Sequence, residues 1–478
     1  MLIRWSKSSA QGRIGRCAAL VSLALVAGCA ARDYQPSPIA VDEVLGSLEA
    51  RTATAPEVRT FLTENALDTA NWPPPSWNLE ALALVAAYYH PDLEVARAEQ
   101  AVFLAAETTA ARRPNPGIEP VLEYHSEPAT SDTPWSVGFA LQIPVTVSDK
   151  RGARIARAEA ATEAARLRIG QTAWAVRQGV RERFIGLFAV EARAGQVTRE
   201  LDVRGRMLRL LERRLELGET DAVTVGSARL RRQQARMALN ATQREVAVAR
   251  TALANALSLP AEALASMAIA TDGLSDWTAP TLPDNAVRRA ALINRLDIRE
   301  ALARYQAAEA QVRLEVARQY PDITLSPGFL WDQGDLVWSV GAAILAPLFD
   351  INQGPIAEAE AARTLEAARF TALQSRVLGA LDQATAAHAA AGIALNNAQT
   401  LWHAQNTHLG RVQQRFTAGE AGRLALLEAE LALIAAEHSV LNERVNALRA
   451  FGLLEDAVQR PLDGTRMPGE VAASAGLG

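Results

Sequence analysis

Six histidines, two cysteines and two short acidic turns are the side chains of this sequence that could do chemistry. The histidines are His90, His125, His388, His403, His408 and His438. None sits in HExxH or at another metal-ligand spacing. His403 and His408 stand five apart, about 140° around a helix, so they aim in different directions. There is no phosphate-binding loop, nucleophile elbow or cysteine nucleophile. The residues point away from an enzyme, and neither a cofactor nor a metal site is expected. A net charge of −4 removes the strongly basic footprint of a nucleic-acid binder.

Cys29 is the exception. It follows Val26, Ala27 and Gly28, a short apolar run from Ala18 to Ala27, and the basic residues Arg4, Lys7, Arg13 and Arg16. The apolar run is shorter than the ~20 residues a membrane-spanning helix needs. Small residues directly before a cysteine resemble a bacterial lipobox, which implies cleavage after Gly28 and lipidation of Cys29. Ala30 follows rather than Asp, a pattern that implies delivery to the outer membrane. After cleavage Cys29 is the only cysteine left, so no disulfide is expected.

The acidic turns are LGETD, Leu217–Asp221, and AGEAGR, Ala418–Arg423. They occupy matching places in a longer duplication. WSVGFALQIPV from Trp135 returns as WSVGAAILAPL from Trp338. Asp92 pairs with Asp297, Gly152 with Gly354, and Leu217–Val225 with Ala418–Leu426. The order of landmarks marks a tandem repeat over residues 79–260 and 284–461. Residues 1–28 form the leader, 29–78 an extended N-terminal segment with the proline-rich NWPPPSW, 261–283 a linker, and 462–478 a tail.

Each copy has the same order of elements. A helical stretch ends at a proline, and two alternating segments follow at about 117–146 and 322–347. In the first copy Trp135, Val137, Phe139 and Leu141 fall on one face, opposed by Ser136, Gly138, Ala140 and Gln142. In the second, Leu336, Trp338, Val340 and Ile344 share a face, opposed by Val337, Ser339, Gly341 and Ala343. The bulky face suits lipid and the small, polar face suits water. Each copy therefore supplies one hairpin of ~10-residue strands, long enough to cross a bilayer when tilted. Four strands cannot close a barrel, and an open edge cannot face lipid. Three chains pooling their hairpins would give 12 strands.

A long helical stretch follows in each copy, about Ser148–Leu217 and Pro355–Thr417, then the glycine turn and a returning helix. The last helix carries a heptad seam: Leu424, Leu427, Leu431, Ile434, His438, Leu441, Val445 and Leu448. That spacing fits packing within a helical wall.

The duplication, paired hairpins, long helices, glycine turns and lipobox together resemble the TolC family of outer-membrane efflux proteins, over almost the whole mature chain. RRPNPGIEP and SDKRGARIARAEA further resemble its CusC- or CzcC-like heavy-metal branch. The resemblance implies a mainly α fold with a transmembrane β part: a homotrimer with a 12-stranded β-barrel continued by a long periplasmic α-helical barrel. It implies an outer-membrane exit channel, working with a periplasmic adaptor and an inner-membrane pump of the RND type. Trp135, Val137, Phe139, Leu141, Trp338, Val340 and Ile344 would then face outer-membrane lipid. Gly218, Glu219, Thr220, Gly419 and Glu420 would form adaptor-docking tips, with Glu219, Asp221 and Glu420 as gate carboxylates. Multidrug or protein export competes with metal export as the task. A coiled-coil lipoprotein spacing the envelope layers, without conducting anything, is the reading of a different class, and the two-faced hairpins stand against it.

Overall fold

The structure is a computed structural model that describes residues 33–65, 67–127, 133–278, 289 and 293–462. Cys29 and its leader, the tip of the first hairpin and the tail after Leu462 lie outside the described residues. The chain divides into two units, residues 1–50 and 51–478. The first contributes one described helix, α1 (Val41–Glu49). Everything below belongs to the second.

That unit opens with α2 (Pro56–Glu64), started by a proline in its first turn, where no amide partner is lost. Together with α1 it makes part of the N-terminal segment helical, where an extended strap was expected. NWPPPSW stays irregular, and Trp77 bridges to Ile269 of the linker. The helix α3 (Leu79–Tyr89) is capped by Asn78, whose side chain accepts from the Ala81 amide at 2.9 Å. α4 (Pro91–Ala110) is capped in turn by the His90 ring at Asp92 N.

Next come β1 (Gly117–Tyr124) and β2 (Trp135–Val145), then α5 (Lys150–Glu216). At 67 residues α5 runs about 100 Å. α6 (Ala222–Ala256) returns along it, and the short α7 (Ala261–Ala265) opens the linker. The second copy repeats the plan as α8 (Leu296–Ala317), β3 (Ile323–Asp332), β4 (Asp335–Ile344), α9 (Gln353–Thr417) and α10 (Arg423–Val458).

α5 is the spine. α3, α4, α6, α8 and α10 all pack on it, whereas α9 packs only on α8 and α10 among these long elements. Leu167, Trp174, Leu187 and other large side chains of α5 are buried, so helix stability comes from tertiary packing rather than local propensity. The heptad seam of α10 lies against α5, not against a second copy of itself. Leu427 and Ile434 are buried with Val203, Met207, Leu208 and Leu211. Farther along, Leu441, Val445 and Leu448 meet Ile185 and Phe188.

Candidate functional site

The four strands form one antiparallel sheet in the order β1-β2-β3-β4. Its register sorts the side chains into two faces. Pro120, Phe139, Phe329 and Trp338 lie in one cross-strand row, and Leu122, Val137, Trp331 and Leu336 in the next. Edge-to-face rings knit this face: Phe139 on Phe329 at 4.7 Å and Tyr124 on Trp135 at 5.0 Å. The bulky residues of the expected lipid face share it. Trp338 and Val340 are 75 % and 84 % exposed, Trp135, Val137, Phe139 and Ile344 are also exposed, and Leu141 is half-buried. So much apolar area left open calls for a partner or lipid.

The other face is mostly small and polar, with one apolar row of Val121, Leu330 and Val337 around Gly138. Glu123, Ser136, Asp332 and Asp335 form one row across all four strands. Ser136 donates to Asp332 at 2.6 Å, and the His125 ring lies 2.9 Å from the same hydroxyl. Lower down, Gln142 donates to Glu119 and accepts from Ser326 at 2.8 Å. The strands carry these acids and no lysine or arginine. Gly138 sits where the hairpins join. A Cβ there would come within 2.2 Å of the Phe329 carbonyl oxygen, so only glycine lets β2 and β3 pair.

At the far end of the long helices are the two turns. Gly218 and Gly419 have φ of +76° and +78°, a left-handed conformation that glycine adopts without a steric penalty. Each closes its helix with the same pair of bonds: Gly218 N to Leu215 O with Glu219 N to Arg214 O, and Gly419 N to Phe416 O with Glu420 N to Arg415 O. Thr220 lies partly exposed between the first turn and α6. The three carboxylates are not simply crowded like charges. Glu219 meets Arg214 at 3.1 Å, and Glu420 lies 3.9 Å from Arg415. Asp221 caps α6, accepting from the Thr224 amide and hydroxyl, and these bonds hold its carboxyl below the usual range.

The histidines are dispersed. His90 is a cap, His388 lies near Phe451, His403 meets the Trp402 ring edge-on, His408 is exposed and His438 is half-buried in the α10 seam. Burial depresses the pKa of His438. Among the described residues no group of three metal-ligating side chains comes together, and no helix is long and apolar enough to cross a membrane.

One cluster was not foreseen. Glu455, with no exposed surface, pairs with Arg181 and lies 3.7 Å from Arg177, both on α5. The guanidinium of Arg181 lies over Phe451, and that of Arg177 over Trp174. The only hint in the sequence was two arginines at i and i+4 on the face of α5 that also carries Trp174, Val180 and Phe184.

The chain matches the family model of the outer membrane efflux protein over residues 85–258 and 287–458, once per repeat. It belongs to that family. Outer membrane efflux proteins are passive channels of the outer membrane, so the chain is a channel component and not an enzyme. A relative is the cobalt-zinc-cadmium resistance protein CzcC of Cupriavidus metallidurans, 27 % identical over 353 residues, or 71 % of this chain and 78 % of CzcC. Among solved structures, CusC superposes with a TM-score of 0.65 at 17 % identity, covering 90 % of this chain and all of CusC. The outer membrane protein VceC of Vibrio cholerae gives 0.64 at 22 % identity, covering 80 % of this chain and 97 % of VceC. Both share the fold of this outer membrane efflux protein, helical with a small antiparallel sheet. The resemblance to the CusC- and CzcC-like branch agrees with these matches.

Proposed function

We propose that the chain is one third of a trimeric exit duct that passively carries heavy-metal cations out through the outer membrane. A periplasmic adaptor and an inner-membrane pump of the RND type feed it, and lipid on Cys29 anchors it. Three sheets close into a 12-stranded barrel with the bulky face to lipid and the acidic face to water. The long helices continue it as a periplasmic tube ending at the glycine turns.

One observation carries the closed ring, and its count of three is what the family resemblance implies. The offset of 201 equates Val223, Leu230 and Met237 of α6 with Leu424, Leu431 and His438 of α10. The α10 residues lie in a seam that packs on α5. Their α6 counterparts are 78 %, 62 % and 64 % exposed. By the repeat, α6 needs an α9 in the place that α5 fills for α10. The α9 of the same chain packs elsewhere, so a neighbour's α9 completes the seam, and each copy of the chain passes the need to the next until a ring closes. The free edges of β1 and β4 carry the same requirement.

Cysteines at Leu230 and Leu409, the latter equivalent to Leu208 of the packed seam, test this. Oxidation should yield covalent trimers in outer-membrane fractions. Monomers alone would overturn the ring. Planar-bilayer conductance together with cobalt, zinc and cadmium sensitivity of a deletion strain tests the task, and unchanged tolerance to all three metals removes metal export. The relative's printed role in cobalt, zinc and cadmium resistance supports that substrate class. Cys29→Ser should abolish incorporation of labelled fatty acid, and equal labelling would remove the anchor. At the tips, bulky substitutions of Gly218 and Gly419 should impair export while trimers persist. Asp221→Asn keeps the cap and removes the charge, so an unchanged cation preference would remove Asp221 from the gate. Glu219 and Glu420 act there only in concert with Arg214 and Arg415.

A further inference from the structure

A cavity of about 520 Å³ lies where α5, α9 and α10 meet the linker between the repeats. Ser275 and Asp276 of that linker form part of its lining, and the buried Phe188 and Leu441 form its apolar side. A linker cannot run through the lumen of an open duct, so in the duct proposed above the cavity opens on the outer, periplasmic side.

Its polar groups do not satisfy one another. Arg444 Nε and Gln196 Oε1 both line the cavity, and both are buried without a hydrogen-bond partner. Gln196 is fixed from its other end, where Nε2 donates to the Glu437 carbonyl at 3.2 Å. The Glu437 side chain is taken by Arg199. Arg444 makes no ion pair among the described residues. Burial pushes the pKa of its guanidinium down, and the charge of Asp276 opposes that shift through space. A buried donor and a buried acceptor left open in one cavity destabilise the fold unless a ligand or water fills them. The Arg444 donor calls for an acid, and the Gln196 acceptor calls for a hydroxyl or amide hydrogen. Trp402 and His403 line the same space edge to face, with ring centroids 4.8 Å apart. Such rings form a platform for the C–H face of a sugar.

The wall itself does not require these side chains. The offset of 201 puts Leu201, Asp202 and Gln243 where the cavity has Trp402, His403 and Arg444. The equivalent joint of the first repeat is therefore built without the ring pair and without the arginine.

We infer that this cavity is a binding site for a sugar acid, a pyranose that carries a carboxylate. Arg444 holds the carboxylate, Gln196 accepts from a ring hydroxyl, and Trp402 with His403 covers the apolar face of the ring. Every one of these groups comes from a single chain, so the site needs no neighbour. Only its placement on the outside rests on the duct proposed above.

The test is titration calorimetry on the full-length protein in detergent, with galacturonate, galactose and benzoate as probes. Galacturonate should bind roughly tenfold more tightly than galactose, which has the ring without the acid, and than benzoate, which has the acid without the hydroxyls. Arg444→Gln should abolish the preference for galacturonate over galactose. Its thermal midpoint should hold or rise, because the group removed is a guanidinium without a partner. Asp276→Asn changes an exposed position and takes away a carboxylate that would repel the ligand's own, so it should tighten galacturonate severalfold. Equal affinity for galacturonate and galactose, benzoate binding as tightly as galacturonate, or an Arg444→Gln protein that melts lower with its preference intact overturns the site. Bilayer conductance is read separately. Protein that conducts while ignoring galacturonate sinks the site alone; protein that binds galacturonate but neither trimerises nor conducts sinks the duct alone.

Discussion

Glu455→Gln is the substitution with the largest expected effect away from the tips. The carboxylate is fully buried between α5 and the end of α10. It accepts from the Leu462 amide at 2.8 Å and faces Arg181 and Arg177 one turn apart. Glutamine keeps the shape and an acceptor for Leu462, so packing changes little and the charge alone is removed. Two guanidiniums are then held in the wall beside a neutral amide. Breaking a buried pair in this way costs about 3–5 kcal/mol, because the desolvation of the remaining charge is no longer offset. Full burial means no discount for solvent screening. The assay is urea unfolding of the detergent-solubilised protein by far-UV circular dichroism, with the midpoint shift converted through the common slope. Arg181→Met combined with Glu455→Gln should be milder than the two single changes added, by about 0.5–3 kcal/mol. A loss below ~1 kcal/mol for Glu455→Gln, or simple additivity in the pair, would refute the view that this charge clamps α10 to α5.

Three further outcomes follow from the geometry. Gly138→Val should prevent the two hairpins from joining and deplete the protein from outer-membrane fractions, whereas Gly341→Ala on the outer strand should be tolerated, since its Cβ would lie 3.4 Å from Ser326 Cβ. Trp338→Lys should cost about 2–4 kcal/mol if it lies near the bilayer midplane and block insertion, while Ser339→Lys one residue on should not; equal effects would contradict the assignment of faces. The depressed pKa of His438 means the unfolded chain binds that proton more tightly, so the stability gained by keeping the ring neutral is present above its ordinary value near 6.5 and lost as pH falls toward the folded value. His438→Met, which copies the residue at 237, should flatten that slope in thermal melts at pH 5.5 and 7.5.

The sheet was largely legible because its two faces differ at every second residue, from Trp135 against Ser136 to Trp338 against Ser339. The turn at Gln333–Gly334 was legible for the same kind of local reason: both residues have positive φ, of 46° and 106°, as a two-residue hairpin turn demands. Helix ends were read to within two or three residues, since the prolines that end the first helix of each copy and the glycine turns are local signals. The helix α2 was missed because a nine-residue segment opening on a proline looks like linker until Val58 and Leu62 are buried, and α1, nine residues with none buried, has no core-facing stripe to read. Pairing between distant side chains was invisible. Glu455 with Arg181 does not follow from spacing along the chain; the local pair of Glu219 with Arg214, five residues apart across the glycine turn, was also missed, and it changes how the tip must be thought of electrostatically. The heptad seam was visible, but its partner, the long helix of the other copy, was not.

The sheet of a single chain ends in two unpaired strands, and that has a genetic consequence. A barrel that closes only when every edge finds a mate is no stronger than its worst joint. In the proposed trimer, one subunit with a spoiled β4 edge, through Ser339→Pro for example, would strand two healthy partners as well as itself. When normal and defective copies are expressed equally and mix at random, only about one ring in eight would be free of the defect. Such alleles should therefore behave as dominant poisons rather than silent losses, and the cell can tolerate them only by destroying the faulty chain before it meets its neighbours.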